Sequence, residues 1–236
     1  MTEVVYDSRK AGPGAVFICM KGTRRDSHDF IPQVTEAGVR VLVTEHPVEA
    51  PAQVTVIVVK SGREALARLS AVRFGNPSRK LLMIGVTGTK GKTTTTHMVK
   101  TILEAAGKKT GMIGTNGVMI GTDHYPTVNT TPESYDLHRY FAQMAEAGCE
   151  CCVMEVSSQA MKMHRVTGIV FDCAVFTNIS PDHIGPDEHA DFAEYLFYKK
   201  QLFFQSRKAF INLDDEHFQE IVQEIPCPWT GFGLME

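Results

Sequence analysis

The chain has 236 residues, with 24 Lys+Arg against 27 Asp+Glu for a net charge of −3, and it is 43% hydrophobic and 22% charged. Such usage belongs to a folded chain with one large or two modest cores, and a near-neutral balance supplies no broad basic field for nucleic acid. No apolar run approaches the ~18 residues of a membrane span, and the opening MTEVVYDSRK lacks the pattern of a secretory leader.

In chain order, VVYD, AVFICM, VRVLVTE and TVIVV read as short Val/Ile-rich strands, and DFIPQVTEAG and GREALARLSAVRF carry helical spacing. Gly75, Asn76, Pro77 and Ser78 cluster as turn formers, which predicts a boundary near 78 and two domains, 1–78 and 79–236. The second block opens with the apolar strand LLMIGVTG and continues through GTKGKTTTTHMVKTILEAAG, helical in its later part. TGMIGT (strand), PESYDLHRYFAQMAEAG (helix), CECCVMEV (buried strand), SSQAMKM (short helix) and VFDCAVFTNI (strand) follow. DFAEYLFYKKQLFFQ (helix), AFINLDD (strand) and EHFQEIVQEI (helix) complete the series. Alternation of this kind, with strands apolar on both faces, predicts an α/β fold: a mostly parallel sheet between helices. Six cysteines, three of them Cys149, Cys151 and Cys152, show no Cys-x-x-Cys spacing and read as reduced core hydrophobes of a cytosolic protein.

The strongest chemical signal is VTGTKGKTTTT. A strand ends, Gly88 and Gly91 permit a tight turn through Thr89 and Lys90, and a helix begins at Lys92, Thr93 and Thr94. Backbone N–H groups and a helix N-terminus then converge where phosphate oxygens can be held. Lys92 is positioned for the outer phosphates and Thr93 for Mg²⁺. Val86 stands where the general phosphate-loop pattern has its first glycine, so the loop is a variant.

That variant, TGTKGKTT, resembles the loop of the Mur ligases, which extend the peptide of the bacterial cell-wall precursor. NTTPES (129–134), MEVSSQAM (154–161), HR (164–165), TNISPDH (177–183), YKKQLF (198–203) and INLDD (211–215) continue the likeness in order. DSRKAGPGAVFICMKG and DSHDFI resemble the uridine-nucleotide-binding domain of the MurE type, with Ser27 where Gly is common. The resemblance covers essentially the whole chain. It implies a small nucleotide-sugar-binding α/β domain followed by a phosphate-loop domain. It also implies ATP-dependent addition of an amino acid, diaminopimelate or lysine, to UDP-N-acetylmuramoyl-L-Ala-D-Glu through an acyl phosphate.

Glu155 closes a buried strand, so its carboxylate should emerge at the C-terminal sheet edge, where ligands bind in open α/β sheets. The resemblance makes it a ligand of a second magnesium, together with His183, which Asp182 would orient by a hydrogen bond. His189 is expected in the lead-in to the next helix. Tyr195, Leu202 and Phe203 align the family's lysine helix so that Lys199, not Lys200, is the residue implied to be carbamylated by CO₂. Only a neutral amine attacks CO₂, and burial near cations favours that form. Thr130, Thr131, Ser157 and Ser158 are hydroxyls on loops at this edge, and Arg165 offers a planar fork for an anion. The resemblance assigns them, with Ser8, to the UDP-sugar peptide, and assigns Asn212 and Asp214 to the ATP base and ribose. Gln159 replaces a usual His and Pro181 a frequent Arg. Complete family members carry a third domain, so an inactive N-terminal fragment is expected; the chain is also expected to be a monomer. A stand-alone UDP-sugar-peptide or nucleotide-binding module, or a convergent phosphate-loop ATPase, are the competing expectations.

Overall fold

The computed structural model describes residues 3–22, 25–186 and 188–234. The chain divides into two compact units, Met1–Gly75 and Asn76–Glu236. The division falls slightly before the expected 78 because Pro77–Lys80 winds into a 3-10 turn that begins the second unit.

The first unit is a four-stranded parallel sheet in the order β1 (Glu3–Val5), β2 (Ala15–Ile18), β3 (Val41–Thr44), β4 (Thr55–Val58). Helices α1 (Ile31–Glu36) and α2 (Gly62–Arg73) complete it. All four residues of β2 are buried, and the two-residue period of a strand divides them. Ala15, Phe17 and Cys19 join Ile31 and Val34 of α1 in one core. Asp7 and Asp26 repeat one device: each caps a short 3-10 turn, accepting from the backbone N–H of Arg9 and His28 respectively.

The second unit is an eight-stranded sheet. Its strands are β5 (Leu82–Thr87), β6 (Thr110–Gly114), β7 (Gly117–Ile120), β8 (Asp123–Tyr125), β9 (Cys151–Glu155), β10 (Cys173–Phe176), β11 (Ala209–Asn212) and β12 (Trp229–Phe232). Their order is β12-β11-β10-β5-β9-β6-β7-β8. Six strands are mutually parallel, whereas β7 and β8 run antiparallel at one edge. The hairpin and β12 lie outside the expected strand set. Between them run α3 (Lys92–Ala105), α4 (Ser134–Glu146), α5 (Ser158–Lys162), α6 (Phe192–Phe204) and α7 (Phe218–Val222).

Strand period distributes the helices. Ile84, Val86 and Val153 face Val99 and Leu103 of α3. Met83, Cys152 and Met154 belong to the opposite core with Leu137, Phe141 and Met144 of α4 and Tyr195, Leu202 and Phe203 of α6. Gly85 in β5 lets Phe171 and Leu202 approach closely; a Cβ there would crowd both. Full burial on both faces explains why β5 and β9 read as continuous apolar runs. All six cysteines are free thiols, five of them buried, and burial raises Cys19 to about 12. Among the described residues no helix is long and apolar enough to cross a membrane.

His138 on α4 is buried against Phe141 with both ring nitrogens lacking a hydrogen-bond partner among the described residues. Burial lowers its pKa from 6.5 to about 4. The unfolded chain therefore binds the extra proton first, and stability falls as pH drops from 6.5 through 4. His138→Leu should remove this acid-side slope and, by deleting an orphaned polar ring, gain about 2 kcal/mol. Thermal melts at a series of pH values check both; an unchanged slope contradicts the assignment.

Candidate functional site

Because β5, β9, β10 and β11 are parallel, their C-terminal ends meet at one edge. The chain enters the sheet at β5, returns on one side through β6 and β9, then crosses to the other side at β10. This is a topological switch point, where open α/β sheets form their ligand crevice.

The Gly88–Gly91 loop leaves β5 at this point. Gly88 has φ 143° and packs so tightly on β10's exit that a Cβ would collide with Thr177 Oγ1. Gly91 has φ 82° and opens α3. Two residues after β10 hold the loop: Lys90 N donates to Asn178 Oδ1 (2.9 Å), Asn178 Nδ2 and Thr177 Oγ1 donate to Lys90 O (3.0 and 2.8 Å), and Thr89 N donates to Asn178 O (2.8 Å). The amides of 89 and 90 are thereby committed to the scaffold. The first intrahelical bond runs from Thr95 N to Gly91 O, so the amides of Lys92, Thr93 and Thr94 form the helix's anion-facing end.

Two lysines converge on one carbonyl. Lys92 Nζ donates to Gly88 O (2.8 Å) and Thr89 O (2.9 Å), and Lys199 Nζ, from α6, donates to Gly88 O at 2.7 Å. Lys199 is 1% exposed and lies over the Tyr195 ring at 4.4 Å. Burial drives its pKa well below the lysine value, the charge on Lys92 adds to this, and Asp182 opposes. Lys92 is lowered too, by burial, with Glu155 and Asp182 opposing. Lys200, by contrast, points away and donates to the carbonyls of Glu220 and Gln223.

Glu155 is 1% exposed. Its Oε1 accepts from Thr93 Oγ1 (2.9 Å) and Thr115 N (2.9 Å), and Oε2 from Thr115 Oγ1 (3.3 Å). Gly114 makes room, since a Cβ there would strike the carboxylate. A buried carboxylate beside a threonine hydroxyl is a hard-oxygen donor pair that suits Mg²⁺. His183 sits with φ 53° on the half-exposed loop after β10. Its Nδ1 pairs with Glu188 Oε1 at 2.8 Å. Asp182 accepts the backbone N–H of His183, but its carboxylate stays 4.0 Å from the ring. Glu188, not Asp182, therefore orients the imidazole, a correction to the expected partner. Among the described residues, no three His, Cys, Asp or Glu side chains are gathered closely enough to hold a metal by themselves.

The expected substrate hydroxyls turn largely inward. Thr131 Oγ1 donates to Glu155 O (2.9 Å), Ser157 Oγ caps α5 by accepting from Ala160 N (3.1 Å), and Ser158 Oγ meets His189 Nε2 at 2.9 Å. Thr130 Oγ1 faces Thr115 Oγ1 (3.0 Å). Arg165 pairs with Glu133 (2.9 Å) and donates to Thr131 O (3.1 Å). Asn212 donates to Thr177 O (3.0 Å) and accepts from Asp214 N, while Asp214 accepts from Leu234 N (2.7 Å). In the first unit, Ser8 lines a 610 Å³ cavity with Tyr6, Arg9, Arg25 and Phe30. Asn178, Thr115 and Glu188 are participants that sequence reasoning does not single out. Asn178 lies inside the TNISPDH motif, but its partner is a loop nearly ninety residues earlier.

Residues 86–236 match the Mur ligase middle domain, and residues 1–73 match the Mur ligase family catalytic domain. The chain belongs to the Mur ligase family. It is 45% identical over 220 residues to a UDP-N-acetylmuramoyl-L-alanyl-D-glutamate–2,6-diaminopimelate ligase of Clostridium perfringens, covering 93% of this chain and 45% of that protein. The ligase of the same name from Geobacillus thermodenitrificans is 43% identical over 239 residues, covering 98% and 48%. The chain thus spans about half the length of the curated relatives it matches. A solved ligase of this name superposes with TM-score 0.86 at 23% identity over 100% of this chain and 49% of its own, a likeness of fold. MurF of Thermotoga maritima in complex with ADP gives 0.62 at 22% identity, over 98% and 50%.

Within this Mur ligase chain, Gly88→Ala should cost about 1–3 kcal/mol from strain at positive φ, plus the collision with Thr177. Gly148 (φ 76°) has open space where a Cβ would stand, with nothing within 4 Å, and serves as the strain-only control. The expected melting temperature falls further for Gly88→Ala, by roughly 3–10 °C, than for Gly148→Ala. Equal losses would show that the loop is not clamped against β10.

Proposed function

We propose that this chain supplies the precursor-binding and ATP-binding portion of an ATP-dependent amide ligase. That ligase adds 2,6-diaminopimelate to UDP-N-acetylmuramoyl-L-Ala-D-Glu. The convergence of the Gly88–Gly91 loop, Lys92, Thr93, Glu155 and Lys199 at one sheet edge carries this reading. The names of the relatives favour diaminopimelate over lysine as the added residue.

Joining an amine to a carboxylate needs the carboxylate activated, and transfer of the ATP γ-phosphoryl group to it gives an acyl phosphate. Two anions must approach each other, so oriented donors and cations have to offset their repulsion. The N-terminal amides of α3 and the Lys92 ammonium serve the phosphates, which compete with Gly88 O and Thr89 O for that ammonium. Thr93 would hold the Mg²⁺ at the phosphates, and Glu155 with His183 and carbamylated Lys199 would hold a second; bound there, the ion would polarise phosphoryl oxygens and neutralise developing charge. Lys199 becomes an oxygen ligand when its neutral amine attacks CO₂: an N–C bond forms, one C=O π-bond opens, and the amine proton leaves to water. Asn212 and Asp214 are assigned to the nucleoside of ATP. Ser8, Thr130, Ser157 and Arg165, all partly exposed, are assigned to the UDP-sugar peptide; the buried Thr131 and Ser158 shape that surface from beneath.

Melting curves test the reading. ATP with Mg²⁺, and separately UDP-N-acetylmuramoyl-L-Ala-D-Glu, should each raise the melting temperature of the chain, and Lys92→Ala should abolish the ATP shift alone. Absence of both shifts in the wild-type chain would contradict the ligase assignment. Labelled ¹³C-bicarbonate should give a carbamate resonance that Lys199→Met removes; its absence in the wild type would exclude the modification.

A further inference from the structure

The loop between β10 and α6 is exposed at Pro181, Asp182, His183, Ile184, Glu188 and Ala190, yet His189 among them is 1% exposed. Its imidazole occupies a slot made by two helices. Nε2 lies 2.9 Å from the hydroxyl of Ser158, the first residue of α5. The ring packs on Tyr195 and Tyr198 of α6, with centroids 5.2 and 5.7 Å away. Nδ1 faces Glu194 Oε2 at 3.6 Å, and that carboxylate is held by Lys162 Nζ (3.0 and 3.1 Å) and Ala190 N (2.7 Å).

The backbone of the same residue closes the loop. His189 N donates to His183 O (3.1 Å), and His189 O accepts from Gly185 N (3.0 Å). On the entering side the loop is fixed by Ile179 N to Asp215 (2.7 Å) and Ser180 N to Thr89 Oγ1 (3.0 Å). The His183 ring bonds to Glu188 within the loop and otherwise meets the edge of α6, its centroid 6.0 Å from that of Tyr195.

We propose that His189 is a positioning residue. Its side chain pins the returning half of the loop between α5 and α6, and its backbone carries that registration directly to His183. The same ring meets Ser158 at the start of α5, so it links the candidate metal ligand to the candidate substrate edge, alongside the Lys162 Nζ to Glu188 O (2.8 Å) and Ala190 N to Glu194 (2.7 Å) bonds. An imidazole suits the slot because it is flat enough to lie against two tyrosines and has a nitrogen for the Ser158 hydroxyl. An aliphatic side chain would bury that hydroxyl unpaired.

The link to metal binding rests on the ligase reading above, whereas the anchoring does not, and the test separates them. Hydrogen exchange of loop amides is measured in the wild-type chain, His189→Ala, His189→Gln and Ser158→Ala, and ATP affinity is measured with Mn²⁺ and with EDTA. His189→Ala should speed exchange of the amides of residues 183–185, 188 and 189 by about tenfold. It should also cut the Mn²⁺-dependent gain in ATP affinity by about tenfold, leaving the affinity in EDTA unchanged. His189→Gln, whose amide reaches the Ser158 hydroxyl, should restore both. Ser158→Ala, which leaves the loop sequence intact, should loosen the same amides. Unchanged exchange in His189→Ala overturns the inference, and so does an equal loss of ATP affinity with and without Mn²⁺. A wild-type chain whose ATP affinity ignores Mn²⁺ contradicts the ligase reading, and the exchange rates then decide the anchor by themselves.

Discussion

The carbonyl oxygen of Gly88 receives two lysine amines, one from the helix that follows it and one from α6. Two ammonium ions cannot share a buried oxygen without cost, because each loses water and each repels the other. Lys199 is the more enclosed of the pair, so it is the one driven toward the neutral form, while Glu155 and Asp182 help Lys92 keep its charge. Under the proposed reading, Lys92 is the one left to meet an anionic ligand as a cation, and Lys199 the one shifted toward the neutral amine. Depth of burial is the main cause of that division.

The arrangement depends on close backbone approach. Gly88 must lie against Thr177 for its carbonyl to meet α6, and Gly114 must be bare for Glu155 to stand beside Thr93. Both glycines sit where parallel strands of the second unit end, so the sheet itself sets the spacing between the phosphate loop, the carboxylate and the lysine. Asn178 adds rigidity by occupying the amides of residues 89 and 90, which leaves the start of α3 as the anion-facing surface. Preorganised donors of this kind stabilise charge without reorganising when it arrives.

Much of this is legible in the sequence. Continuous apolar runs mark β5 and β9 because both faces are covered, and Gly88 to Thr94, Glu155 and Lys199 stand in motifs whose order is informative. Edge strands β8 and β12 are not legible: Asp123, His124 and the exposed Trp229 and Phe232 give them little apolar pattern, and β7, though apolar, is only four residues long, opening on Gly117 and followed by Gly121. Partners separated by long stretches of chain are equally hidden. Nothing in VSSQAM says that Ser158 turns inward to His189, or in SPDH that Glu188 rather than Asp182 meets the His183 ring. Residue type identifies a hydroxyl or a carboxylate, but which neighbour claims it is decided by packing.

The most direct test is the titration of the Lys199 amine, followed by NMR of the chain labelled with ¹³C and ¹⁵N lysine in CO₂-free buffer and assigned with Lys199→Met. Lys199 should lose its proton far below the ordinary lysine value of 10.5, ahead of Lys92. A Lys199 amine that titrates at the ordinary value would contradict the division of roles between the two lysines.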